Sequence, residues 1–208
     1  LTDQIPTSFQ EDIMSLLETL QQRLGGQAVE QISRKIGSDP GTTGNAIDAA
    51  LPLLLAAVAR NASNGAQAQS LNTAVAQDHD GSVLDDVSGY LNRAETGPGA
   101  GILRHVLGGN QPTVERGLSQ TTGLDAGKAG QLLMMLAPLV MGALGRAKQE
   151  RSLDAGGLSN LLAGERENLN QSAPGVMGML GRFLDRDGDG SVIDDVGGML
   201  GKTFGSKR

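Results

Sequence analysis

Cysteine and tryptophan are absent from the 208 residues, and aromatic side chains make up only 2% of them. Without cysteine there are no disulfides and no thiolate metal ligands, and the redox compartment stays open. With apolar residues at 38% and so few rings, the core must be built from Leu, Ala, Val, Ile and Met. Such side chains suit close-packed helices, whereas strands favour aromatic and β-branched residues. Histidine is nearly missing too, with only His79 and His105. No His/Glu metal pair, glycine-rich phosphate loop or nucleophile elbow stands in the chain, so no enzyme is expected.

Positive charge is also short. Lys and Arg number 17 against 23 Asp and Glu, a net charge of -6. Binding nucleic acid through its phosphates needs a basic face. The one basic cluster is Lys202, Lys207 and Arg208, read as a solvated end, so no nucleic-acid partner is expected. Long apolar runs are lacking as well. The longest uncharged stretch, 129–145, contains Gln131 and Pro138 and falls short of the roughly 20 apolar residues of a membrane span. It reads as a buried core helix, as does 49–59. No signal-peptide pattern follows Leu1, and the expected location is the cytoplasm.

Glycine, by contrast, is abundant at 31 residues. Several lie inside apolar runs (Gly142, Gly145, Gly178, Gly197 and Gly198), where they let helices approach closely and lower local stability.

The clearest organisation is internal repetition. "DHDGSVLDDVSGYL" at 78–91 returns as "DGDGSVIDDVGGML" at 187–200. "NAIDAALPLLLAAVAR" at 45–60 matches "QLLMMLAPLVMGALGR" at 131–146, setting Pro52 on Pro138 and Arg60 on Arg146. Residues 23–41 and 106–127 correspond more loosely. The second half carries an insertion near 163–184, and 95–101 is the natural boundary. The expectation is therefore an all-α, multihelical chain of two pseudo-repeated halves docked together, 1–95 and 102–208.

Ser8 with Glu11 three residues on predicts a capping box. Ile13, Leu16, Leu17, Leu20 and Leu24 follow at helical spacing and stop at Gly25 and Gly26. Further helices are predicted over 27–36, 42–60, 66–76, 83–93, 101–107, 112–122, 128–148, 153–163, 173–184 and 192–203. Pro52 and Pro138 fall inside two of them and predict a kink or a new helix start.

Five aspartates crowd the stretch 185–195. Asp185, Asp187 and Asp189 stand at positions 1, 3 and 5 of an EF-hand-like calcium loop. Gly190 stands at the sharp turn, Ser191 offers its carbonyl, and Val192 is the apolar position. Position 12 is Val196, where a bidentate Glu should be, so the full pattern fails. Ser191 and Asp194 form a Ser-x-x-Asp start for the next helix, and a shortened loop can close on Asp194, or less favourably Asp195. Three alternating carboxylates repel one another without a cation. The expected ligands are thus Asp185, Asp187, Asp189, Ser191 and Asp194, and the expected ion is Ca2+. The first-half copy keeps Asp78, Asp80 and Asp85 but has Ala76 and His79 where Asp185 and Gly188 stand. It reads as a capped helix start with an incomplete ligand set.

Other readings compete. Aspartate and glycine are ordinary turn and cap residues, which leaves a metal-independent scaffold or oligomer-forming protein as the alternative. Residues 30–51 have a helix-turn-helix layout, but between Lys35 and Arg60 no basic residue occurs, so a packing motif is the better reading. Met134, Met135, Met141, Met177, Met179 and Met199 read as core, or as a groove for a partner helix.

Residues 24–61, "LGGQAVEQISRKIGSDPGTTGNAIDAALPLLLAAVARN", together with 183–200, "FLDRDGDGSVIDDVGGML", resemble the bacterial YidB-like family, the "domain of unknown function 937" group. The resemblance covers most of the chain and implies a multihelical bacterial protein, without supplying a reaction. The combined expectation is a calcium-binding structural or protein-interaction module whose partner is an unknown protein or a second copy.

Overall fold

Two aspartates start the two longest helices. The Asp39 carboxylate accepts from the Thr42 N–H at 2.8 Å and opens α3, Pro40–Ala62. Asp125 accepts from the N–H groups of Gly127 and Lys128 and opens α8, Ala126–Glu150. Each helix is preceded by one that ends at a left-handed glycine. These are α2, Gly26–Ile36, ending at Gly37, and α7, Gln111–Thr122, ending at Gly123.

The computed structural model describes residues 15–63, 65–94, 97–172, 174, 175 and 178. Its remaining helices are α1, Leu16–Arg23; α4, Gly65–Asp78; α5, Val87–Arg93; α6, Gly99–Leu107; and α9, Ala155–Ser172. Short 3₁₀ turns cover Ser82–Leu84 and Gly108–Asn110. The chain is all-helical, with no strand among the described residues.

The apolar runs explain the centre of the fold. Every residue from Leu51 to Ala59 is buried, and so is every residue from Met135 to Gly145. A helix that is apolar all round must be enclosed, so α3 and α8 pack on each other and the shorter helices surround them. By length and composition both could cross a bilayer, but 72% and 78% of their most apolar windows are buried in this fold. Each runs on through its proline as one element, so no new helix starts at Pro52 or Pro138.

Other boundaries differ from expectation for local reasons. The Ser8–Glu11 capping box lies outside the described residues. The described helix α1 has its own box, in which Ser15 accepts from the Glu18 N–H while Glu18 accepts from the Ser15 N–H. The helix predicted over 83–93 is divided. The 3₁₀ turn comes first, then Asp86 accepts from the Gly89 N–H at 2.7 Å and starts α5 afresh. α9 runs well past residue 163 because Leu158, Leu162, Glu165 and Leu169 keep one face buried at helical spacing.

Glu165 is the buried carboxylate of this body, 5% exposed. Its Oε1 accepts from the Leu16 N–H at 2.8 Å and so caps α1 from α9; Oε2 has no hydrogen-bond partner among the described residues. Burial raises its pKa above the ordinary 4.5, and Glu18 adds to the rise; the N–H groups of Leu16 and Leu17 and the Arg151 charge oppose it. The folded chain therefore holds this proton more tightly than the unfolded chain does. Its contribution to stability should fall as pH rises from about 4.5 through the raised folded value, and level off above it. Thermal melts across that range should show the decline, and Glu165→Gln should flatten it. An unchanged slope in that variant would assign the pH dependence elsewhere.

Candidate functional site

The first aspartate loop follows α4 and lies on α8. Gly81 takes φ +93°, a conformation other residues rarely adopt, and its Cα side faces α8 so closely that a Cβ would come within 2.9 Å of Arg146 Cβ. The seat on α8 is equally bare. A Cβ on Gly145 would overlap the carbonyl of His79, and one on Gly142 would overlap Val83. Thus glycines on both surfaces let a loop backbone rest on a helix backbone.

Polar groups of α8 then take up what the loop offers. Arg146 donates to the Gly81 carbonyl at 3.1 Å and forms an ion pair with Asp85. Gln149 donates to the Asp80 carbonyl at 2.9 Å, and Arg23 from α1 donates to the Leu84 carbonyl at 3.3 Å. The Asp80 carboxylate accepts from the Ser82 N–H at 2.9 Å, and hydrogen bonds from Ser82 hold its pKa below the ordinary value. His79 is half-buried rather than exposed as a loop histidine usually is; burial lowers its pKa, against the pull of Asp78 and Asp80.

The aspartates of this copy are thus occupied separately. Asp80 closes the turn, Asp85 meets Arg146, Asp86 caps α5, and Asp78 ends α4 in solvent. The cation beside the loop is a guanidinium. No three His, Asp or Glu side chains gather into a possible metal site among the described residues. Arg146→Ala should cost on the order of 1–2 kcal/mol, since it removes one charge-assisted bond to a mostly exposed carboxylate and one to a carbonyl. Urea denaturation reads this, and a loss below about 0.3 kcal/mol would mean that the pair is only a surface contact.

The ligands expected in the second half (Asp185, Asp187, Asp189, Ser191 and Asp194) all lie outside the described residues, as do Met177, Met179 and Met199. Met135 and Met141 are core residues, and Met134 is half-buried. The helix that a helix-turn-helix would place in DNA is α3, whose Thr43, Ala46, Ile47 and Ala50 are buried. Its exposed positions in that stretch, Asn45 and Asp48, carry no positive charge.

One cleft opens at Pro52, and another lies beside Met134, one turn before Pro138. Pro138 has no N–H for the Met134 carbonyl. The Tyr90 hydroxyl donates to the neighbouring Met135 carbonyl at 3.1 Å, and burial pushes the Tyr90 pKa up to about 12, so the phenol keeps its proton. Ala94, Gly97 and Gly99 close over the same break, leaving about 300 Å³ beside Lys35 and Gln131. Pro52 in α3 likewise has no N–H for Asp48. There the cleft is about 750 Å³, between α1, α3 and α9.

The family model for a bacterial protein of unknown function, DUF937, matches residues 18–147. The chain belongs to this family. The DUF937 span takes in the first aspartate loop, both long helices up to Ala147, and Arg146; residues 185–194 lie beyond it. No curated protein and no solved structure matches the chain.

In the sequence Arg146 stands out only as the partner of Arg60 in the repeat. The signal for its role is an arginine retained in both copies at the polar edge of an apolar helix. Gly142 and Gly145 are legible there as points of close approach, but nothing local identifies the loop that uses them.

Proposed function

We propose that this DUF937 chain is a structural or protein-interaction module whose second aspartate loop takes Ca2+. Asp185, Asp187 and Asp189 would bind through their carboxylates, Ser191 through its carbonyl, and Asp194 would close the loop, with Gly190 allowing the turn. The reading treats the chain as two pseudo-repeated halves, 1–95 and 102–208, and as a cytoplasmic protein without enzymatic chemistry or nucleic acid. Its partner is another protein or a second copy.

The observation that carries it is the way the first copy is neutralised. There Arg146 of α8 supplies the positive charge. The repeat sets Arg60 of α3 in the same place, but the matching face of α3 is lined by α9. Ala59 and Ser63 share a cleft with Ser159 and Asn160. Ser159 also donates to the Ala62 carbonyl at 3.2 Å. With α9 covering that face of α3, the denser aspartates of the second copy favour a cation from solution in this reading.

The first copy also favours the second reading, a metal-independent scaffold, because its aspartates act as caps and ion-pair partners. Calorimetric titration of the full chain with calcium, and melts with and without chelator, separate the two. Calcium at a hundredfold its dissociation constant should add about 2.7 kcal/mol; Asp187→Asn with Asp189→Asn should abolish both heat and shift. No heat and no shift in the unaltered chain would favour the scaffold.

A further inference from the structure

The cleft beside Pro52 has the features of a docking site for this chain's own C-terminal segment. It is bounded by Ser15, Glu18, Gln21, Asp48, Asn168 and Ser172. Asp48 is exposed and has no hydrogen-bond or ion-pair partner among the described residues, and no basic side chain lines the cleft. The backbone adds to this negative character, because Pro52 leaves the Asp48 carbonyl without its usual helical donor.

The matching break in α8 shows what such a place receives. There Tyr90 of α5 donates to the Met135 carbonyl, and Gly99, the first residue of α6, lies against the Met134 carbonyl. Lys35 donates to the Asn92 carbonyl at 3.3 Å and ties α5 to α2. The sequence of α5, "VSGYLNR" at 87–93, returns as "VGGMLGK" at 196–202, so Arg93 is matched by Lys202. Beyond it stand Lys207 and Arg208, which with Lys202 form the only basic cluster of the chain.

Reach and charge agree. α9 ends at Ser172, itself on the rim of the cleft. The residues between there and 196 can extend about 75 Å at most, ample for the chain to leave the rim and return. A basic segment meeting Asp48 and Glu18 gains charge complementarity, which an acidic or neutral occupant would lack.

We propose that residues 196–208 seat in the cleft beside Pro52, with Lys202 set against the carboxylates of Asp48 and Glu18. The seating goes beyond the calcium reading and does not depend on it, because the contact needs no metal.

The absence of cysteine makes the test clean. In the full-length chain, Gln21→Cys with Gly201→Cys is oxidised under chelator and mapped by mass spectrometry. The expected result is an intrachain disulfide, formed roughly tenfold more than in the control Arg104→Cys with Gly201→Cys, because docking raises effective concentration. In parallel, Asp48→Lys and Lys202→Asp should each lower the melting temperature, and the double variant should recover it. No disulfide above the control would overturn the proposal. So would a disulfide found only between chains, which means a second copy is the occupant. Preferential crosslinking of Gln21→Cys to Ile13→Cys would also overturn it, in favour of the N-terminal segment. Calcium titration is read separately, so failure of the metal site leaves these outcomes unchanged.

Discussion

Gly145→Ala should destabilise the protein by about 3 kcal/mol, at the upper end of what overpacking costs. The added carbon has nowhere to go. It would overlap the carbonyl of His79 and press on the backbone of Asp80, and neither is the flexible end of a side chain. Relief requires the loop 79–86 to lift from α8, which breaks the Arg146 bond to Gly81, the Gln149 bond to Asp80 and the ion pair to Asp85 together. For a chain of this size the melting temperature should fall by roughly 6–12 °C. Hydrogen exchange should rise first at residues 81–86. The internal control is Gly164→Ala in α9, where a Cβ meets nothing within 4 Å; there helix propensity alone should stabilise by up to about 1 kcal/mol. Similar melting for both variants would mean that the loop does not rest on α8 as described.

Gly99→Ala should have a comparable cost, about 2–3 kcal/mol, for a reason that involves a proline elsewhere in the chain. Pro138 cannot donate to the Met134 carbonyl, and the first residue of α6 approaches that carbonyl so closely that a Cβ on Gly99 would overlap it. The methyl group would push α6 away from α8 and disturb the packing of Leu103 and Leu107, both buried. Gly101, two residues on, is exposed with open space at its Cβ, so Gly101→Ala should be neutral or slightly stabilising. Urea unfolding of the two variants measures the contrast, and a difference below about 0.5 kcal/mol would refute the close approach of α6 to α8. The two glycine positions together test whether the breaks and bare faces of α8 set how the surrounding elements dock.

Much of the architecture is legible in local chemistry. Gly37 and Gly123 stand where α2 and α7 end, and Asp39 and Asp125 cap the starts of α3 and α8, so local capping marks these four boundaries. The burial of α3 and α8 follows from their composition, since a helix without a polar face has to be enclosed. The division of 83–93 is less visible. Asp86 could cap a helix or sit inside one, and that choice depends on the loop before it being held by Arg146 and Arg23.

For the candidate site the balance is different. Sequence alone determined the helical class, the two long core helices and the repetition of the aspartate motif. These are matters of periodicity, capping and composition, which act over a few residues. Only the tertiary structure decided that the first loop's positive neighbour is Arg146, that α9 lines the matching face of α3, and that Pro52 opens onto a cleft. Those outcomes join residues more than 60 positions apart, such as Gly81 with Arg146 and Leu16 with Glu165. Contacts of that kind depend on how whole helices pack, and no short stretch of sequence encodes them.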